Sequence, residues 1–411
     1  MRLWIINHYA LPPGASGGPT RHLGLARALR DQGHDVTIHA SVFDHYSRQD
    51  HRPRGDDGPV VEDLEGITYV WWSTPPYGST AARIRNMASF AQQVGRKAGR
   101  IGLPAPDVVI GSSPHLLAGL AARRVARRMG VPFIFEVRDL WPQTFVDMGE
   151  MGARHPVTLA LRVVERSLYR TADELVTVLP AAVPYFLDHG ADADHLTVIP
   201  NGATLGPRPD PAPVRGDGPM EVVYAGTLGH ANGLELVVDV AAELRRRGRD
   251  DIRIRLVGAG PERDALQARV DASPGAPITV EPPVPSSAVP ALLAGADVCL
   301  LVLRPSPVFR WGVSPTKLFD YLAAARPVVA SVSAPDSIVG PAGAGVWAEA
   351  GSVDALADAL VSMAELTPAV RGEMGERGRA YAEHHHGFDT LASELLEVVG
   401  RCTAALPAGP R

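Results

Sequence analysis

The sequence predicts an α/β protein of two units, each a parallel sheet with helices packed on both faces. Three observations carry this. Short apolar runs alternate with helical stretches over residues 3–178, the same alternation restarts at residue 221, and a stretch dominated by Pro, Gly and Asp separates the two. A chain of 411 residues is also too long for one ordinary core, so two domains are expected.

Strands are expected at 3–7, 36–40, 67–72, 108–111, 133–137 and 175–178, with helices at 18–32, 116–129 and 157–171. The segment 201–219, NGATLGPRPDPAPVRGDGP, reads as an interdomain linker. Beyond it, strands are expected at 221–225, 253–257, 278–281, 298–302, 328–330 and 345–347. Helices are expected at 234–247, 262–271, 289–295, 315–325 and 353–366. Residues 388–400 carry a helical apolar stripe with no strand after them, and 403–411 read as a frayed end. The domains are therefore assigned as 1–205, 206–385 and a C-terminal helix and tail, 386–411, that packs back on the first domain. In open parallel sheets ligands bind at the carboxyl ends of the strands, so two such edges facing across a cleft suit a two-substrate reaction.

Composition excludes several classes. A net charge of −5 argues against a nucleic-acid coat, so any basic partner surface must be local. Two cysteines, Cys299 and Cys402, make no disulfide framework and no Cys-x-x-Cys metal pattern, and Cys299 lies in the apolar run ADVCLLVL. A reducing, cytoplasmic setting fits. The opening apolar run is about six residues, shorter than a secretory core segment, and no stretch approaches the roughly 18 apolar residues of a bilayer span. Of the 40 basic residues only Lys97 and Lys317 are lysines. A lysine here is a less casual choice than usual.

Lys317 sits in WGVSPTKLFDYLAAARPVVAS, residues 311–331. Gly312 to Pro315 reads as a turn, Ser314 as the N-cap and Pro315 as the first helical position. The free N–H groups of a helix start form an anion site, and Lys317 adds a full charge to it. Asp320, one turn on, suits the vicinal hydroxyls of a ribose. The structural reading, a capped surface helix with a solvated Lys and Asp, stands beside it.

This stretch resembles the donor-site helix of glycosyltransferase family 4, in its bacterial surface-polysaccharide branch. The resemblance implies the GT-B fold, two Rossmann-like domains, and a retaining transfer that needs no metal. In the family's usual signature two glutamates lie eight positions apart; here Asp320 stands for the second, gripping the ribose, and Gly312 for the first, whose side-chain role is vacant. Upstream, VVYAGTLGHANGLELVVDVAAEL resembles the opening strand, glycine turn and helix of the donor domain. Gly226 and Gly229 would let backbone approach the diphosphate. Where the family often places Arg and Lys, this chain has Thr227 and Asn232, so Lys317 and the helix terminus must carry the charge, with Arg304 or Arg310 as further candidates. LVGAGPERDAL (256–266) is weak as a dinucleotide fingerprint but resembles the family's turn near the base. The backbone around Val284 would pair with the nucleobase edge. Read structurally, these glycines are simply turns.

On the acceptor side, Gly17 and Gly18 follow the first strand and precede a helix, a second backbone-lined anion site. Two more strand ends carry polar groups: VVIGSSPHLLAGL with Ser112, Ser113 and His115, and FIFEVRDLWPQT with Glu136, Arg138, Asp139 and Trp141. His115 is a candidate toward the donor sugar, Arg138 toward a phosphate, and Asp139 as the group that orients or deprotonates an acceptor hydroxyl. An Arg138–Asp139 salt bridge is the structural alternative. Where many family members have His-Asp, this chain has Arg-Asp, so a His role there does not carry over. No cofactor is expected, since the nucleotide-sugar is a substrate, and no Asp-x-Asp metal pair is seen after a strand end.

Residues 66–106 hold no acidic residue but carry Arg83, Arg85, Arg96, Lys97 and Arg100, preceded by Trp71, Trp72 and Tyr77. A peripheral membrane contact over 71–100 is one expectation, a solvated helix the other. The resemblance implies transfer from a UDP-sugar or other nucleoside-diphosphate sugar to a hydroxyl acceptor, lipid-linked or soluble. A nucleotide-sugar 2-epimerase and a non-catalytic sugar-nucleotide-binding partner are the alternatives.

Overall fold

The computed structural model describes residues 1–15, 21–45, 47–55, 58–206, 218–336 and 338–404. They divide into two units: Met1–Pro200 together with the last helix, Phe388–Ala404, and Asn201–Gly387.

The first unit is built on an eight-stranded sheet: β1 (Arg2–Ile6), β2 (Asp35–Ser41), β3 (Val60–Leu64), β4 (Ile67–Trp72), β5 (Val108–Ser112), β6 (Phe133–Val137), β7 (Glu174–Thr177) and β8 (Leu196–Val198). Their spatial order is β3-β4-β2-β1-β5-β6-β7-β8. Every pair is parallel except β3 with β4 at the edge. Helices α1 (Arg21–Asp31), α2 (Thr80–Lys97), α3 (Leu116–Met129), α4 (Gln143–Asp147), α5 (Pro156–Thr171) and α6 (Val183–Asp188) connect them. Strand order reverses direction between β1 and β5, which makes their carboxyl ends the switch point.

The second unit has six parallel strands: β9 (Met220–Ala225), β10 (Ile252–Val257), β11 (Ile278–Glu281), β12 (Val298–Val302), β13 (Val328–Ser331) and β14 (Gly345–Ala348). They lie in the order β11-β10-β9-β12-β13-β14, so the switch point falls between β9 and β12. Its helices are α7 (Glu235–Arg246), α8 (Arg263–Asp271), α9 (Val289–Ala294), α10 (Thr316–Ala323), α11 (Val353–Glu365) and α12 (Pro368–His385), and α13 is Phe388–Ala404. Alternate residues of the central strands feed opposite faces: Val222 and Tyr224 join the α7–α11 core, and Val223 joins the α10 core.

Three sequence expectations shift. The unit boundary falls at Pro200–Asn201 rather than after 205, because Ala203 pairs with Gly387 and its N–H donates to the His386 carbonyl at 2.9 Å. The second boundary is at Gly387, two residues later than expected. The last helix continues to Ala404, past the expected fraying point at 403, and the linker's 207–217 and the tail's 405–411 lie outside the described residues.

α13 is part of the first unit's core. Leu391, Leu395 and Val399 join Leu3 and Ile5 of β1 and Leu25 and Leu29 of α1 in one buried cluster. α1 and α13 approach through Gly24, where an added Cβ would sit 2.2 Å from the Phe388 ring. Gly24→Ala is therefore expected to lower stability by about 1–3 kcal/mol by overpacking. Chemical denaturation checks this, and Phe388→Leu should recover most of the loss if the ring is the obstruction.

Candidate functional site

At the switch point of the second unit, the loop leaving β9 meets the first turn of α10. Lys317 Nζ donates to Tyr224 Oη at 2.7 Å and to Asn232 Oδ1 at 2.9 Å, and lies 4.4 Å from the centre of the Tyr224 ring. Tyr224 Oη and Asn232 Nδ2 in turn both donate to the Thr227 carbonyl, at 2.7 and 2.9 Å. Thr227 thus contributes backbone that fixes the two groups holding the ammonium. Gly226 has φ +154°, and an added Cβ would lie 3.3 Å from Lys317 Nζ. A side chain there would crowd the cation. Burial pulls Lys317 down to about 8.

Asp320 follows Lys317 by three residues, so the two share a face of α10. It is exposed on that face, and desolvation by its surroundings pushes its carboxyl up to about 6. A carboxylate and an ammonium one turn apart suit the ribose and diphosphate ends of one ligand.

Several expected contributors are placed differently. Ser314 does not cap α10: its Oγ accepts from the Asn201 N–H at 3.1 Å and its carbonyl from Asn201 Nδ2 at 2.7 Å. Pro315 is the cap position and makes no side-chain hydrogen bond to the helix start. Gly312 closes a 3₁₀ turn at φ +91°, and its N–H is spent on the Phe309 carbonyl at 2.9 Å. Arg304 pairs with Glu235, and Arg310 stacks on Trp311 at 4.6 Å. Gly229, at φ −126°, has Thr227 Cγ2 only 3.4 Å from where a Cβ would stand. Val284 is half-buried beside the core that includes Leu318 and Phe319. Gly258 and Gly260 prove structural. A Cβ on either would lie 1.8 and 2.2 Å from the carbonyl oxygens of Gly226 and Leu228, so this turn buttresses the loop from behind.

In the first unit, the switch point carries a buried polar network. Glu136, at the end of β6, accepts from Arg21 Nε at 2.9 Å, His22 Nε2 at 2.7 Å and Ser112 Oγ at 2.7 Å. Burial alone would raise its carboxyl, but Arg21 and His22 outweigh that and hold it well below the usual carboxylate range. Burial also lowers His22, so the ring is neutral. It then donates from Nε2 to Glu136 and accepts at Nδ1 from Asn7 Nδ2 at 2.8 Å. The sequence reading missed Arg21, His22 and Asn7. The signal was Glu136 itself: an acid inside FIFEV, a run that reads as a buried strand, requires a buried cation.

His115 caps α3. Its Nδ1 accepts from the Ala118 N–H at 3.2 Å and its Nε2 meets His8 Nδ1 at 2.7 Å. Buried, with both nitrogens engaged and its basicity lowered by desolvation to about 3, it is a structural histidine, which corrects the expectation of a sugar contact. Asp139 accepts from Trp141 Nε1 at 3.0 Å and Thr144 Oγ1 at 2.5 Å; desolvation raises its carboxyl. The Arg138 and Asp139 backbone N–H groups both donate to Ser113 Oγ, at 2.8 and 3.3 Å, and Arg138 Nη1 approaches His22 Nδ1 at 3.5 Å. Gly17 and Gly18 lie outside the described residues. Trp71 and Trp72 are wholly buried in β4 and Tyr77 nearly so, so the aromatic flank expected for a membrane contact over 71–100 is core.

Residues 16–202 match the family described as Glycosyl transferase 4-like domain, and residues 219–365 match Glycosyl transferases group 1. The putative colanic acid biosynthesis glycosyl transferase WcaI of Escherichia coli (strain K12) is 24% identical over 274 residues, which are 63% of this chain and 66% of that protein. Among solved structures, sucrose-phosphate synthase from Thermosynechococcus elongatus superposes with a TM-score of 0.73 at 18% identity, covering 98% of this chain and 100% of that one. Anabaena Alr3699/HepE in complex with UDP and glucose superposes at 0.64 and 15%, covering 97% and 99%. Two family matches in succession, on two parallel-sheet units whose switch-point loops carry the motifs, show that the chain belongs to glycosyltransferase family 4, with the GT-B fold.

Proposed function

We propose that this glycosyltransferase moves a hexose or acetamidohexose from a UDP-sugar to a hydroxyl acceptor in glycan, glycolipid or natural-product assembly, with retained configuration and without a metal. The observation that carries the reading is the recessed ammonium of Lys317, held by Tyr224 and Asn232 beside an uncapped helix start. In the transfer, the bond from the anomeric carbon to the distal phosphate oxygen breaks, one to the acceptor oxygen forms, and the acceptor's hydroxyl proton passes to the departing phosphate oxygen. Negative charge then grows on the departing diphosphate. A cation and helix N–H groups already aimed at that place stabilise it without reorganisation. Asp320 accepts hydrogen bonds from the ribose. On the acceptor side we assign Asp139 to orienting the hydroxyl and Arg138 to a phosphate-bearing acceptor. The UDP and glucose bound by HepE support a UDP-sugar donor, and the name of WcaI supports a polysaccharide setting. No described helix is long and apolar enough to cross a membrane.

The two shifted groups set a pH window. Lys317 is charged below about 8 and Asp320 ionised above about 6, so donor affinity should be greatest between them and fall on either side. A UDP-sugar is the right probe, because its diphosphate carries no proton that titrates in this range. Calorimetry across pH should show Asp320→Asn flattening the acid limb and Lys317→Arg the alkaline one. Lys317→Ala should weaken UDP binding several-fold; unchanged affinity sinks the assignment. Sugar transfer should also persist in excess chelator, and activity that disappears there and returns with added divalent metal overturns the metal-free reading.

A further inference from the structure

α10 is only eight residues long, so its placement comes from what it packs on and not from its own propensity. Its end is held by Arg379 Nη1, which donates to the Ala323 carbonyl, and its middle by the His386 ring, 4.6 Å from that of Phe319. The start offers a partner little to hold. Pro315 has no N–H, so the backbone polar group just outside the helix is the Ser314 carbonyl. Asn201 takes it: Nδ2 donates to that carbonyl at 2.7 Å, and the Asn201 N–H donates to Ser314 Oγ at 3.1 Å. Two bonds from one residue fix both the position and the rotation of Ser314, three residues before Lys317.

Asn201 is itself held. It is the first residue of the second unit, and Gly387 is the last. The two segments run side by side: Ala203 pairs with Gly387, and the Ala203 N–H donates to the His386 carbonyl at 2.9 Å. The His386 ring turns back on Asn201, whose carbonyl lies 3.1 Å from Nδ1. A carbonyl only accepts, so Nδ1 carries the proton. The ring is buried and desolvation lowers its basicity to about 4, so it is neutral and that tautomer is fixed. Asn201 thus has its N–H, its carbonyl and Nδ2 all committed, and only Oδ1 is left, buried and without a partner. Turning the amide round would set Oδ1 against the Ser314 carbonyl, two acceptors face to face. Of the side chains with this shape only asparagine presents a donor there; aspartate and leucine do not.

We propose that Asn201 is a positioning residue of the donor site: through Ser314 it sets where the N–H groups of the first turn of α10 meet the donor's diphosphate. This rests on the reading of α10 as the diphosphate site. The experiment uses the full chain and two probes, UDP and uridine, which differ only in the diphosphate. Asn201→Ala deletes the side-chain donor. It should weaken UDP binding, read by calorimetry, by about fivefold, the size of one net hydrogen bond. Uridine binding, read by ligand-observed NMR, should stay as in the wild type, because the nucleoside has nothing to place at the helix start. A merely structural clasp gives a different pattern. A lower unfolding temperature with both affinities unmoved overturns the proposal, and so does an equal loss of both. Ser314→Ala removes only the acceptor of the Asn201 N–H and carries the test if Asn201→Ala fails to fold. It should weaken UDP about twofold and leave uridine unmoved, and wild-type UDP binding there overturns the proposal. Lys317→Ala separates the two readings. If it binds UDP as the wild type does, the donor reading fails. If it binds weakly while Asn201→Ala binds as the wild type does, only the role of Asn201 falls.

Discussion

Lys317 holds its ammonium against two neutral oxygens and an aromatic face, with no carboxylate in ion-pair range among the described residues. Such a cation is costly where it stands: desolvation has already lowered its basicity, and the cation–π contact with Tyr224 offsets only part of the lost hydration. The surrounding backbone follows from that constraint. Gly226 leaves the space beside Nζ empty. Gly258 and Gly260 let a second turn close on the loop from behind. Asn232 and Tyr224 are pinned to one carbonyl, that of Thr227.

The first unit treats its buried charge in the opposite way. Glu136 is saturated from within, by Arg21, by a neutral His22 and by Ser112. Three chain segments, the ends of β5 and β6 and the start of α1, are thereby fixed at one point. Breaking such a cluster by removing one partner strands the other charge in the core, so its role is to set the geometry of the switch point. Arg138 and Asp139 follow Glu136 directly and share Ser113 Oγ as acceptor, so the network fixes where they begin.

Much of this was legible in the sequence. Parallel strands buried on both faces read as continuous apolar runs, and the glycine turn after β9 announced the switch point of the second unit. Lys317 stood out because the chain otherwise uses arginine. What escaped were features with no periodic signature. α12 has glycines and arginines in place of an apolar stripe. It packs through Gly375 and Gly378, where a Cβ would lie 2.0 Å from the Ala325 carbonyl and 2.9 Å from Leu322, and its one local sign is the Thr367 cap followed by Pro368. Ser314 looked like a cap by position, but Asn201 lies 113 residues away in sequence and no local rule brings it there. His115 looked functional by its place at a strand end, and its pairing with His8 is likewise long-range.

The chain's two kinds of cation differ in chemistry. The cation at the start of α10 is a lysine, a compact point charge whose basicity burial can move into the physiological range. Arginines stay charged, spread their charge over a planar fork and lay apolar stems on the surface that carries them. In a chain whose basic residues are nearly all arginine, the lysine at 317 marks where a titrating cation is wanted.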